Sequence, residues 1–301
     1  MGRNTFCIIL FLSLQFVACN SDKNGLEDTH LGGCILLNPT GEIPTNIYHQ
    51  TGIIQTDEFQ PFTKKLIVCG ITLIARDDIS DDFIQKVAET IKEIFSPNEE
   101  NINKNLQEDL IRNMYKYRTV IPLFKGENFD FTSADEKLWD RTTMENSICD
   151  IIMEGVPGQV TEVVEHILHF VTDIGMHYTF PDEWGISKSS KLYELMQQAI
   201  DNQYYDVAQY SDIDDDTDRL RVLLQEYAYW IIYTSWDLRE PYGPQGAEWS
   251  IMSNSELNDK LPQSYQIFQK TIPKVMARPS KELLNSFINK YFCHDFIRFV
   301  E

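Results

Sequence analysis

Apolar and polar positions follow two periods along the chain, one near two residues and one near three and a half. Residues 65–75 read KLIVCGITLIA, a β-branched apolar run expected to form one buried strand. Asp77, Asp78 and Ser80 offer helix N-caps. Over 81–95 the apolar residues Phe83, Ile84, Val87, Ile91 and Ile94 recur at helical spacing, until Ser96-Pro97 ends the pattern. A short helix is expected over 106–115, and strands over 119–124 and 147–153, with 127–141 looping between them. Gly155-Val156-Pro157-Gly158 breaks the chain. Beyond it the pattern is almost wholly helical: 159–176, 187–202 with Leu192, Leu195, Met196 and Ile200 facing inward, 219–238, 256–276 and 281–292. Residues 212–218 form an acidic loop, and no internal repeat is visible. The expected class is α+β, a small N-terminal sheet with a helix followed by a mostly helical region.

The N-terminus changes the picture of where this domain resides. Arg3 is the only positive charge before an apolar run over 6–18. That run is shorter than the roughly 20 residues a spanning helix needs, and has the length of a signal-peptide core. It ends in Phe16-Val17-Ala18-Cys19, and Asn-Ser-Asp-Lys-Asn follows. A small residue before a cysteine at this point resembles a bacterial lipobox, although Phe16 stands where Leu is usual. The resemblance implies diacylglycerol in thioether linkage on Cys19 and cleavage before it. The alternative is an ordinary cleaved secretory signal. The division expected is a signal over 1–18, a tether and irregular segment over 19–60, and one domain over 61–301. The protein would then be exported and membrane-anchored, in the periplasm or at the cell surface. Eukaryotic myristoylation wants Ser or Thr at position 6, and Phe6 excludes it.

A formal net charge of −20 and a pI near 4.6 give a field that repels nucleic acid and anionic headgroups and attracts cations. With 43% hydrophobic residues and 12% aromatics the chain folds rather than remaining an acidic coil. Cys34, Cys69, Cys149 and Cys293 remain once Cys7 and Cys19 are set aside. They could form disulfides outside the cytoplasm. The strand-like settings of Cys69 and Cys149 favour buried free thiols for those two. No Cys-x-x-Cys occurs, so cysteine zinc knuckles and thioredoxin-type chemistry are excluded.

Candidate chemistry concentrates in Thr161-Glu162-Val163-Val164-Glu165-His166-Ile167-Leu168-His169, which holds two of the six histidines. Helical positions four apart share a face, so Glu165 adjoins His169, Asp173 extends that row, and Glu162 and His166 form the next. Carboxylate with imidazole is a donor set that suits zinc. The spacing resembles the zincin metallopeptidase helix, His-Glu-x-x-His. Glu165-His166-Ile167-Leu168-His169 aligns with it, Glu165 replacing the first histidine and His166 the glutamate base. The resemblance implies Glu165 and His169 as zinc ligands, a third ligand from a later helix at Glu226 in LLQEYAYWIIYTSW, and proton handling by His166 or Glu162. The segments EHILHFVTDIGMHY, QEYAYWIIYTSWDL and AEWSI are also similar to a family of secreted proteins of no established activity, over about 65–270. That likeness implies shared architecture.

Other candidates are weaker. His177 is expected past the helix end, as a loop residue or spare ligand. Asp212, Asp214, Asp216 and Asp218 alternate, but the positions an EF-hand reserves for Gly and Glu hold other residues in either register. The aromatics over 227–236 fit core packing. Gly-x-Ser-x-Gly, P-loop and dinucleotide fingerprints are absent. Two functions follow as expectations: a zinc-dependent, peptidase-like hydrolase acting on a peptide or protein, or a non-catalytic surface module on a zincin-like scaffold.

Overall fold

A computed structural model describes residues 34–288 except Gln245 and Ala247. Cys19, Cys293, the 1–18 signal and the end of the expected 281–292 helix lie outside the described residues. The elements run β1 (Ile54–Gln55), β2 (Lys64–Val68), β3 (Ile71–Ala75), α1 (Asp81–Ile94), α2 (Lys104–Lys116), β4 (Thr119–Lys125), α3 (Ser133–Glu145) and β5 (Ile152–Glu154). Then come α4 (Gln159–Phe170), a π-helical continuation (Val171–Met176), α5 (His177–Thr179), α6 (Pro181–Trp184), α7 (Lys191–Asp201), α8 (Asp216–Ser235), α9 (Arg239–Tyr242), α10 (Asn254–Lys260), α11 (Pro262–Val275) and α12 (Lys281–Asn285). The fold is α+β, with the strands in the N-terminal half and helices filling the rest.

The five strands lie in the order β1-β2-β3-β4-β5. The first three are antiparallel, whereas β3 pairs with β4, and β4 with β5, in parallel. Parallel pairing needs crossovers, and α1 with α2 supplies one and α3 the other. Side chains alternate across the sheet. Leu73, Ile121 and Leu123 face the main core, while Ile74, Val120 and Phe124 face a second cluster with Phe62 and Trp139 of α3. The sheet is therefore covered on both faces, which explains why its central strands read as unbroken apolar runs.

Five expectations need correction. Residues 65–75 form a hairpin rather than one strand. Cys69 and Gly70 take φ of 45° and 85°, the left-handed geometry of a tight turn. Gly70 is also pressed against α2, where a Cβ would lie 2.7 Å from the Ile111 carbonyl oxygen. The segment expected to loop over 127–141 holds α3, started by a capping box in which Thr132 and Asp135 bond each other's backbone N–H. Only the end of 147–153 is a strand, Ser147 making an isolated bridge to Thr119 before it. The helix expected over 256–276 divides at Leu261-Pro262, because Pro262 starts α11 at its N-terminus. Cys149 is not a free thiol: it is bonded to Cys34, while Cys69 is buried and free as expected.

α4 and α8 carry the candidate residues and pack on one another. α8 is buried from Leu224 to Ser235 on every side, so it is a central helix. Thr161 meets Tyr233 at 3.0 Å, and His169, two turns further along α4, meets Glu226, two turns earlier on α8. The two helices are thus antiparallel, and the aromatics expected as core are core. Asp215 caps α8, its side chain accepting the N–H groups of Thr217 and Asp218. The expected acidic loop therefore ends in a helix start.

Candidate metal centre

α4 begins after Gly158, whose φ of 74° turns the chain out of β5. The apolar residues Val160, Val163, Val164, Ile167 and Leu168 hold the helix against the core. That seating aims Glu165 and His169 at α8, where Glu226 faces them. Glu165, His169 and Glu226 each offer one ligand atom, and these atoms lie within 4.8 Å of one another. His169 is 1% exposed and Glu226 5%. The ligand set inferred from the zincin-like spacing is therefore brought together from two helices more than fifty residues apart.

The two nitrogens of His169 have different surroundings. Nδ1 is 2.6 Å from Asp150 Oδ2. Nε2 has no hydrogen-bond partner, its nearest carboxylate oxygen being Glu226 Oε2 at 3.6 Å, beyond hydrogen-bond reach. A carboxylate on one imidazole nitrogen is the arrangement that supports metal-binding histidines. Burial would lower the His169 imidazole, but the Glu226 and Asp150 carboxylates outweigh it and raise it well above its ordinary range, so a metal at Nε2 would displace a proton. Asp150 is itself held: its other oxygen accepts the Ile151 N–H at 2.8 Å, and Gln225 Nε2 donates to Oδ2 at 3.3 Å. Arg221 reaches from Gln225 to Asp173, at 2.5 and 3.4 Å. Burial would raise the Asp150 carboxyl, but His166 beside it and the hydrogen bond from His169 hold it at about 2.

The carboxylates that converge on Nε2 repel one another. Burial first, and then the Glu226 carboxylate, pushes the Glu165 carboxyl up to about 8. Two acidic groups in a site this dry require a proton or a cation between them. The donor set, the orphaned Nε2 and the excess of negative charge fit a divalent ion, and this group of residues could hold one.

His166 and Glu162 stand beside that group. His166 Nδ1 is 3.2 Å from Glu162 Oε1 and its Nε2 is 3.9 Å from Asp150 Oδ2. Burial would lower the imidazole, but the Asp150 and Glu162 carboxylates outweigh it and raise His166 to about 10. Glu162 also accepts the Met153 N–H at 2.7 Å, tying α4 to β5. Asp150, His166 and His169 form a second converging group. Asp173, expected to extend the Glu165 row, instead turns to Arg221, and burial pushes its carboxyl up to about 7. His177 lies within the helical continuation rather than past it, with Nδ1 accepting the Ile186 N–H at 3.0 Å.

Asp150 escapes sequence reasoning because it follows Cys149 in a segment that reads as a strand. Its only signal is a lone acid within an apolar run. No protein-family model, curated protein or solved structure matches the chain. Among the described residues no helix is long and apolar enough to cross a membrane.

Proposed function

We propose that the protein is an exported, lipid-anchored hydrolase of the zinc peptidase type, with Glu165, His169 and Glu226 as ligands and Asp150 as the carboxylate that orients His169. The carrying observation is the buried His169 Nε2, left without a hydrogen bond, with Nδ1 fixed by Asp150 and two carboxylates opposite. Three protein ligands leave a coordination position for water or substrate, as in catalytic rather than closed structural zinc sites. Zinc supplies Lewis-acid polarisation of a carbonyl and acidification of water when bound. The chain's own residues do the rest. His166, 3.2 Å from Glu162 and 3.9 Å from Asp150, stands beside the ligand group and is the residue proposed to handle protons. Glu162 holds that imidazole in place and is a positioning residue. The lipobox-like Phe16-Val17-Ala18-Cys19 and a disulfide, which persists in oxidising compartments, support export.

The near-complete burial of His169 and Glu226 favours a second reading, a structural metal in a non-catalytic surface module. Elemental mass spectrometry of the mature protein and of His169→Ala tests the metal, and cleavage of quenched-fluorescence peptides with and without chelator tests the chemistry. Near-stoichiometric zinc lost in the variant, with chelator-sensitive cleavage, is the result expected. Zinc without cleavage would favour the module. Absence of metal in the wild type would sink both forms of the site.

A further inference from the structure

The interface of α4 and α8 holds more unsatisfied polar atoms than the metal centre uses. Tyr229 Oη is buried and without a hydrogen-bond partner, and so are Nε and Nη1 of Arg239. Tyr229 sets its ring edge-to-face with His169, centroids 5.8 Å apart, and lies 5.0 Å from Tyr233 and 4.5 Å from Trp230. Arg239, at the start of α9, places its guanidinium 5.4 Å over the Trp230 ring. Tyr229 and Arg239 thus both border the aromatic cluster of α8 next to His169, Tyr229 through its ring against His169 and Arg239 through Trp230.

Arg239 is the anomaly. It is 2% exposed, yet among the described residues no carboxylate lies within ion-pair distance of it. A buried charge without a counter-ion is strongly disfavoured, and a stack on Trp230 satisfies the face of a guanidinium but not its N–H donors. Its fork matches a carboxylate. Spacing agrees with a short ligand. Thr161, which bonds Tyr233 and donates to the Tyr242 carbonyl on α9 at 2.7 Å, marks the level of α9 on α4. From there to the Glu165–His169 level is about 6–12 Å at 1.5 Å per helical residue, the reach of roughly two to three extended residues.

We propose that Arg239 receives the terminal carboxylate of a peptide whose adjoining amide lies against the Glu165–His169–Glu226 centre, so that the site takes short peptides ending in a free carboxyl group. The choice of a peptide rests on the proposed function, whereas the carboxylate rests on Arg239 alone.

The test is calorimetric titration of the full mature chain with the dipeptide Ala-Phe and with Ala-Phe amide, zinc content being measured in the same samples. The free acid binds at least about tenfold more tightly than the amide, the worth of charge-assisted hydrogen bonds. Arg239→Met abolishes that preference without changing zinc content. Inorganic phosphate at equal concentration does not displace the acid. Arg239→Lys keeps the cation but not the fork and reduces the preference, which serves if the Met variant does not fold. Equal binding of acid and amide, no binding of the acid, displacement by phosphate, or a preference that survives both substitutions would overturn the proposal. Zinc-loaded protein indifferent to the carboxyl group sinks this inference alone. Arg239-dependent binding to protein that never holds metal sinks the metal reading alone.

Discussion

At the scale of single residues, the arrangement turns on which nitrogen of His169 is free. Asp150 decides that by taking Nδ1 at 2.6 Å. Asp150→Asn keeps the shape but removes the negative charge that makes the imidazole a stronger donor, and zinc affinity should fall by about tenfold to a hundredfold. Competition with a chromophoric chelator measures it. Unchanged affinity would mean that Asp150 only packs. Glu226→Gln should lower the affinity further if Glu226 is the direct ligand proposed, and should leave the circular dichroism spectrum in place.

At the scale of elements, two junctions are exposed to test. The β2–β3 hairpin depends on Gly70, whose left-handed φ and contact with Ile111 leave no space for a Cβ. Gly70→Ala should cost about 1–3 kcal/mol in urea unfolding, and an unchanged midpoint would contradict that geometry. The start of α1 is tied to the end of β5, because Glu154 accepts the Ser80 N–H at 3.1 Å and pairs with Lys125 at 2.9 Å. Burial pushes the Glu154 carboxyl up, but Ser80 and Lys125 outweigh it and hold it below its usual range. A depressed carboxylate contributes stability above its unfolded pKa, and loses it as pH falls through the lower folded value. Glu154→Gln should therefore be less stable than wild type at pH 7, by about 0.5–1 kcal/mol given its partly exposed partners. The gap should close as pH falls below about 4, and a gap independent of pH would point to packing instead.

At the scale of the whole molecule, the Cys34–Cys149 bond joins positions 115 apart in sequence and ends one residue before Asp150. It anchors the N-terminal segment to the sheet and restrains the loop that aims Asp150 at α4. Cys34→Ser with Cys149→Ser should lower stability by roughly 2–5 kcal/mol and weaken zinc binding with it. Loss of stability with affinity intact would separate the anchor from the site. Lipid attachment belongs to this scale too. Cys19→Ser should move the protein from the membrane fraction to the soluble fraction, and membrane recovery unaffected by the substitution would remove the lipid anchor.

Periodicity was enough to determine that the protein is α+β, that 81–95 and 159–176 are helices, and that Glu165 and His169 share a face, because each follows from spacing along one element. Distance in sequence hid the rest. The Cys69-Gly70 turn lies inside an apolar run, since strands buried on both sides lose the alternation that would mark their ends. α3 was missed because only Trp139 and Thr142 of it are buried, leaving too narrow an apolar stripe to set a period. Glu226, named from the zincin resemblance and not from spacing, joins the site through packing of α8 on α4. Asp150 joins it through Gln225, Arg221 and a disulfide, and Arg239 reaches the same interface from α9. Local spacing determines which side chains face together on one helix. Only the tertiary fold decides which buried polar groups meet a partner and which, like His169 Nε2 and Arg239 Nε and Nη1 among the described residues, do not.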